Sequence, residues 1–447
     1  MRRSGLGVLG ISLMLILALA MFFIGWVYWA SYRSDEDKSK SSLNKITQAE
    51  LADPKLIALG AYLAKAGNCA GCHTEPGQAK FGGGHGLETP FGTVYASNLT
   101  PDEKTGLGLW TAEDFWRAMH HGQSKDGRLL NPVFPFSSYT LVSRRDSDAL
   151  FAFLRSIPAI TQQNRKQELR FPYNTQAALM VWRALYFEAR GFKFQSDKTA
   201  DWNRGAYLVQ GLGHCGDCHS PRSRLGGVQS DPEHESTLGG GVMPVQKWYA
   251  PSLREAREAG LQSMSMTESM ALLRHGVNSQ ASVMGPMAEV VFRSTQYLSD
   301  ADLVAMTGYL QDLPGRPSAT GTKDSKSVKT PSIDAASDEQ GKTLYKTHCT
   351  ECHGDQGQGA EVDGVPAYPR LAGNRAVNLP SLLNLVRILV QGGFPPSTSG
   401  NPKPFGMPPF SHILSDTEMA QVLSFVRQSW GNGAGAVHSL DVIRSRQ

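Results

Sequence analysis

The chain opens with two arginines, Arg2 and Arg3, and then carries no charge from Ser4 to Tyr32. The centre of that run, Ile11 to Ile24, is nearly all apolar. About 20 such residues cross a bilayer as a helix. The pattern predicts a membrane-spanning helix within residues 1–32, with Trp26, Tyr28 and Trp29 at the outer interface. The arginines on the short side place that side in the cytoplasm and export the rest. Ala18-Leu19-Ala20 resembles a leader cleavage site. A signal h-region is only about 7–15 residues, however, and this run continues through Trp29, so a retained anchor is expected.

Further along, the apolar spacing changes to that of short amphipathic helices. Asp146-Ser147-Asp148 precedes Leu150, Phe151, Phe153, Leu154 and Ile157. Ser299-Asp300 precedes Leu303, Met306 and Leu310, and Ser415-Asp416 precedes Met419, Val422, Leu423 and Val426. A Ser/Asp cap followed by apolar residues at three- and four-residue steps reads as a helix with one buried face. A second recurring element lies upstream of each: Gly60-Ala61-Tyr62-Leu63, Gly205-Ala206-Tyr207-Leu208 and Gly341-Lys342-Thr343-Leu344-Tyr345. Each is expected to start a helix whose glycine permits close helix contact and whose Tyr/Leu pair faces a core.

Between those two elements, three times over, stands a Cys-x-x-Cys-His pentad. The pentads are Cys69-Ala70-Gly71-Cys72-His73, Cys215-Gly216-Asp217-Cys218-His219 and Cys349-Thr350-Glu351-Cys352-His353. They use all six cysteines. This motif reads as covalent attachment of a c-type haem, the histidine becoming the proximal iron ligand. Zinc would need four ligands, so two pentads would share a metal and strand the third. A redox dithiol would not need histidine next in line three times. The expected fold is mostly α: three tandem cytochrome c domains behind an N-terminal transmembrane helix, carrying three haem c groups.

The expected boundaries are an anchor at 1–32, a charged, Ser-rich tether at 33–46, and a first domain at 47–160. An apolar connector follows at 161–198, then a second domain at 199–314 and a flexible linker at 315–335. The third domain spans 336–430 and a tail 431–447. The connector is too apolar for a free linker. It either packs domains together, the favoured reading, or lies on the membrane with Trp182, Tyr186 and Phe187 as anchors.

Methionine opposite histidine raises a haem's potential. Met407, in Phe405-Gly406-Met407-Pro408-Pro409-Phe410, and Met287, in Gly285-Pro286-Met287, are the expected distal ligands of the third and second sites. Met243 and Met284 are rivals to Met287, while Met306 and Met419 fit core filling. The first domain has Phe134 where the sulfur belongs, in Asn131-Pro132-Val133-Phe134-Pro135-Phe136. Its options are Met119, ranked first, then His120 or His121, or an open sixth position. An open iron would permit peroxidase-like chemistry, which is the alternative function. A purely structural assembly anchor is a third.

The net charge of +4 over 447 residues is slight and carries no dense basic stripe, so no nucleic-acid partner is expected. Gly82-Gly83-Gly84 and Gly239-Gly240-Gly241 lack the flanking strand and helix of a dinucleotide site and read as turns.

Several segments resemble the three-haem membrane-bound cytochrome c subunits of bacterial periplasmic dehydrogenases. They include Ser97-Asn98-Leu99-Thr100-Pro101-Asp102, Trp202-Asn203-Arg204-Gly205-Ala206-Tyr207, Trp248-Tyr249-Ala250-Pro251-Ser252-Leu253, Leu371-Ala372-Gly373-Asn374 and Ser429-Trp430-Gly431-Asn432. The resemblance implies an electron-transfer subunit with no substrate-oxidising site of its own, held in the cytoplasmic membrane with its haem domains in the periplasm. It implies a catalytic partner acting on alcohols, sugars or aldehydes, and ubiquinone or a terminal oxidase as acceptor. The long anchor and Phe134 look most like the aldehyde-dehydrogenase branch, whose catalytic subunits carry molybdopterin and iron–sulfur clusters. PQQ and flavin partners belong to the other branches.

Overall fold

The computed structural model describes residues 5–32, 46–228, 234, 236–315, 335–362 and 365–446. Arg2 and Arg3, nearly all of the expected tether and most of the expected linker lie outside these residues. The chain forms two compact units. The first contains Met1–Gly60, His73–Phe192 and Arg224–Gly227; the second contains Ala61–Cys72, Lys193–Ser223 and Val228–Gln447.

In the first unit, the apolar run forms helix α1 (Gly5–Tyr32). Residues 11–31 are long and apolar enough to cross a membrane. Its side chains from Ile11 to Ile24 are exposed, Met14 by 73% and Phe22 by 74%. That is the surface a lipid-facing helix presents. At its C-terminal end Val27, Ala30 and Ser31 are buried.

Helix α2 (Pro54–Ala66) follows, and its first half belongs to this unit. Helix α3 (Ala112–His121) is capped reciprocally by Thr111 and Asp114 and stopped by Gly122 at φ 60°. Helix α4 (Arg144–Ser156) begins earlier than the Asp146 cluster suggested: Ser143 is the cap, its Oγ accepting from the Asp146 N–H. Ser147 and Asp148 are therefore buried inside the helix, Asp148 paired with Arg144.

The connector is structured. Strand β3 (Glu168–Leu169) joins the hairpin of β1 (Gly86–Thr89) and β2 (Gly92–Tyr95). Helix α5 (Gln176–Tyr186) packs on the end of α1. Ser31 Oγ donates to Met180 O at 2.8 Å. The fully buried Arg183 donates to the carbonyls of His121 and Ser31, at 2.6 and 3.3 Å. Phe187 is buried against Phe136, and Trp182 Nε1–H donates to Leu225 O. These aromatic rings point inward, so α5 clamps the anchor's end to this unit.

In the second unit, helix α6 (Ala200–Tyr207) packs on α9 (Asp300–Asp312), with α7 (Met266–His275) and α8 (Pro286–Arg293) between them in sequence. A two-stranded ribbon, β4 (Gly241–Met243) and β5 (Trp248–Ala250), lies in the same stretch. Then α10 (Ala335–His348) packs on α12 (Asp416–Gln428), with α11 (Leu383–Gln391) between. Ser299 and Ser415 cap α9 and α12, as the pattern anticipated. The stretch after residue 430 adds α13 (Ser439–Arg446), whose fully buried Val442 joins a core of Tyr345, Val386, Leu389 and Met419.

Candidate functional site

Three glycines set the geometry of three similar sites. A Cβ on Gly60 would lie 1.8 Å from Ala149 O, on Gly205 2.0 Å from Ala305 O, and on Gly341 2.4 Å from Gln421 O. One turn on, the Cβ atoms of Phe153, Tyr309 and Phe425 would be 2.8, 2.9 and 3.0 Å away. Any side chain would separate the helices, so glycine is required by close backbone approach. Each first cysteine follows its glycine by nine, ten and eight residues respectively. The longest interval contains a π-helical turn, Leu208–Leu212, which absorbs an extra residue without turning the approach helix off the pair.

The Tyr/Leu expectation holds with one change. Leu63, Leu208, Tyr207 and Tyr345 are buried. Tyr62 instead donates to Asp302 Oδ2 at 2.6 Å, beside the Arg204–Asp302 ion pair. Tyr62 is half-buried, and its hydroxyl meets a carboxylate that also receives the Arg204 guanidinium, which makes the bond charge-assisted.

Each pentad forms a short helical turn: Cys69–Cys72, Gly216–His219 and Thr350–His353. None of the six cysteines is in a disulfide. Among the described residues no group of three or more His, Cys, Asp or Glu side chains is arranged to hold a metal ion. Burial raises the thiols of Cys69, Cys215 and Cys349, each also raised by the second cysteine of its pair. They stay protonated at neutral pH. Cys72 is raised first by its surroundings and then by Glu289 of α8, and Cys218 feels the charge of Cys72. The second unit therefore brings the first two cysteine pairs within electrostatic range of each other.

The histidines are held alike. His73 Nδ1 lies 2.7 Å from Ser97 O, His219 Nδ1 2.7 Å from Pro251 O, and His353 Nδ1 2.9 Å from Pro369 O. A carbonyl only accepts, so each Nδ1 carries the proton and each Nε2 keeps its lone pair. Burial lowers all three pKa values, against the smaller opposing pull of the carbonyl. Neutral imidazole with a tethered Nδ1–H is the state that ligates a metal. This donor chemistry, with two unbonded thiols beside it, fits a covalently bound haem. The three carbonyls were not identified from sequence. They stand 24, 32 and 16 residues beyond their histidines, and backbone acceptors leave no residue-type signature.

On the opposite side the three sites differ. After α3, α7 and α11 the chain makes an isolated bridge in each case: Gln123 with Leu129, Val277 with Ser282, and Gly393 with Met407. Met407 is thus pinned in its bridge by 3.0 and 2.8 Å backbone bonds to Gly393. Met287 stands five residues past its bridge, in the first turn of α8. Phe134 is five past the first bridge, at the register of Met287. Of the rivals to Met287, Met243 is in strand β4 opposite Trp248, and the methyl of Met284 lies near Gly393. Met306 and Met419 are buried core residues.

Met119 is 5% exposed, two residues before the end of α3. The same place is Leu273 in α7 and the core residue Leu389 in α11. Its neighbour His120 stacks on Trp116 at 4.3 Å, and its buried Nδ1 has no hydrogen-bond partner. Phe134 packs edge-on against Tyr139.

The cytochrome c family model matches residues 339–430, the third of these assemblies. The cytochrome c subunit of gluconate 2-dehydrogenase from Pantoea cypripedii is 35% identical over 420 residues, 91% of this chain and 93% of that one. The cytochrome c subunit of a quinone alcohol dehydrogenase from Gluconobacter oxydans is 34% identical, covering 89% of this chain and 84% of that one. The cytochrome subunit of fructose dehydrogenase from Gluconobacter japonicus is 32% identical, covering 87% and 82%. With this coverage and a mostly helical fold built around Cys-x-x-Cys-His turns, the chain belongs to the family of cytochrome c subunits of membrane-bound dehydrogenases.

Proposed function

We propose that this chain holds three haem c groups in three successive domains, 47–160, 199–314 and 336–430, and passes electrons through them from its catalytic partner to ubiquinone or a terminal oxidase. Covalent haem c, electron transfer and a place beside a catalytic dehydrogenase subunit come with the family. The number of haems and the residues that hold them are the proposal. The observation that carries it is the triple recurrence of an Nδ1–carbonyl tether directly after an unbonded cysteine pair.

In this reading Cys69/Cys72, Cys215/Cys218 and Cys349/Cys352 form the thioethers. His73, His219 and His353 are proximal ligands, Met287 and Met407 distal ligands, and Met119 the distal candidate of the first site. When bound, each haem takes up and releases one electron. The protein's part is to orient each Nε2 through its carbonyl, to raise the potential with a distal sulfur, and to exclude water around both. The named relatives are dehydrogenase subunits, and the peroxidase alternative finds no support in them.

The anchor α1 with Arg2 and Arg3 before it supports a single span and periplasmic haem domains. Relatives named for gluconate, alcohol and fructose oxidation support a partner acting on alcohols, sugars or aldehydes. The long anchor and Phe134 favour the aldehyde type, with molybdopterin and iron–sulfur clusters, over PQQ or flavin partners. Protein purified from membranes should retain its chromophore through acid–acetone extraction and contain three irons per chain. One equivalent of iron overturns the three-haem reading.

A further inference from the structure

Arg387 lies on a face of α11 that turns away from its own core. Val386 and Leu389 are buried in that core, whereas Asn384 and Arg387, one turn apart, meet strand β5. Asn384 fixes the contact: its Oδ1 accepts from Tyr249 N–H at 2.8 Å and its Nδ2–H donates to Tyr249 O at 2.7 Å. One turn on, the Arg387 guanidinium sits over the Trp248 ring, 5.5 Å from its centroid.

Trp248 is bracketed by both halves of the second site. Three residues later, Pro251 O accepts from His219 Nδ1–H. Against its ring lies Gly285, whose Cβ would be 2.5 to 2.8 Å from the indole. Gly285 is at φ 57° and precedes Met287 by two residues. The indole therefore belongs to the wall that joins the histidine side of this site to its methionine side.

The charge on Arg387 meets neutral groups of the protein, the Trp248 ring and the Gln391 amide. Its Nε is buried without a hydrogen-bond partner. One Nη donates to Gln391 Oε1, a neutral acceptor, at 3.0 Å. Among the described residues no carboxylate pairs with it. Arg204, another partly buried arginine of this unit, is answered by Asp302, and the buried Arg427 fills its Nε and one Nη with the carbonyls of Val377, Leu379 and Gly435. Burial lowers the pKa of Arg387, as expected for a desolvated cation without an anion. Such a group is unfavourable until an anion meets it.

We infer that Arg387 is the cationic partner of a propionate carboxylate of the haem held by Cys215, Cys218 and His219, so that the third helical assembly supplies a charge to the second site. The inference rests on the haem reading of that site. A guanidinium offers a planar fork that matches a carboxylate. A positive charge beside a redox group favours its reduced state, so Arg387 raises the second potential and couples it to the seating of α11.

Potentiometric titration of the holoprotein tests this. The second component is identified as the one lost in the Cys215→Ser/Cys218→Ser variant. In Arg387→Gln that component should fall, with the reduced-to-oxidised ratio at the former midpoint dropping about tenfold, about 59 mV for one electron. Arg387→Lys, which keeps the charge without the fork, should fall less, and it carries the test alone if the glutamine variant does not accumulate. The other two components should stay in place. An unmoved second component, or a shift confined to the third, overturns the assignment. Fewer than three components in the wild type overturns the haem reading beneath it.

Discussion

The loops that close the first and third sites begin with the same device and end differently. Both leave a helix through a glycine of positive φ, Gly122 or Gly392, and both then form a single bridge, Gln123 to Leu129 or Gly393 to Met407. In the third, the bridge residue is itself the methionine, and the prolines after it stiffen the exit. In the first, the bridge residue is a buried leucine, and the residue at Met287's register is Phe134. The proximal halves of the two sites do not differ in this way: a tight glycine, two thiols and a tethered imidazole recur in each. Attachment needs one geometry, whereas potential depends on what faces the iron from the other side. Variation therefore collects on the distal loop.

The largest expected effect comes from breaking what the sites share. Gly205→Val forces a side chain against Ala305 O, where even a Cβ would be 2.0 Å away. We expect destabilisation of about 3 kcal/mol or more in denaturant melts. A change within about 0.5 kcal/mol would mean that the helix pair tolerates separation.

Next is Met407→Ala, which removes the sulfur proposed as the distal ligand of the third site. The third haem's potential should fall by on the order of 100 mV, within the ~0.8 V that axial ligands span. An unchanged titration would remove Met407 from the coordination sphere. Phe134→Met sharpens the same contrast from the other side. If register decides, the first potential should rise, by less than Met407→Ala lowers the third, because Tyr139 also packs on this position. Met119→Leu should leave the low-spin signal of the first haem intact if Met119 fills a core position, and abolish it if Met119 is the ligand.

The smallest effect tests the Tyr62–Asp302–Arg204 contact. Burial raises Asp302, but the Arg204 guanidinium and the Tyr62 hydroxyl outweigh it and leave the carboxyl below its usual range. With a depressed folded value, the stabilisation is present above the unfolded carboxyl value of about 3.9. It is lost as pH falls through the lower folded value. Asp302→Asn should cost about 2 kcal/mol at pH 7, and the cost should shrink in acid. A pH-independent difference would remove the ion pair from the account.

The approach glycines, the caps Ser299 and Ser415, and the pentads were all legible in the chain, because each depends on residue type at a short fixed spacing. The Ser143 cap was not: Asp146 through Asp148 offers the same chemistry nearby, and only the bond from the Asp146 N–H to Ser143 Oγ shows which start the helix uses. The inward turn of Trp182 and Phe187 was equally hidden, since an aromatic helix reads the same whether it meets lipid or protein. The stretch 431–447 was expected as a tail outside the third domain, yet Val442 is fully buried.

What the sequence by itself determined is the attachment chemistry and the helical plan, since thiol spacing, capping and apolar period act over a few bonds or turns. What tertiary structure alone decided is which backbone carbonyl orients each imidazole, and which arginine stands beside which site. Ser97, Pro251 and Pro369 act through a group that every residue possesses, and Arg387 acts on a site whose cysteines lie about 170 residues away. Neither leaves a local mark, because both depend on where packing brings distant backbone and charge together.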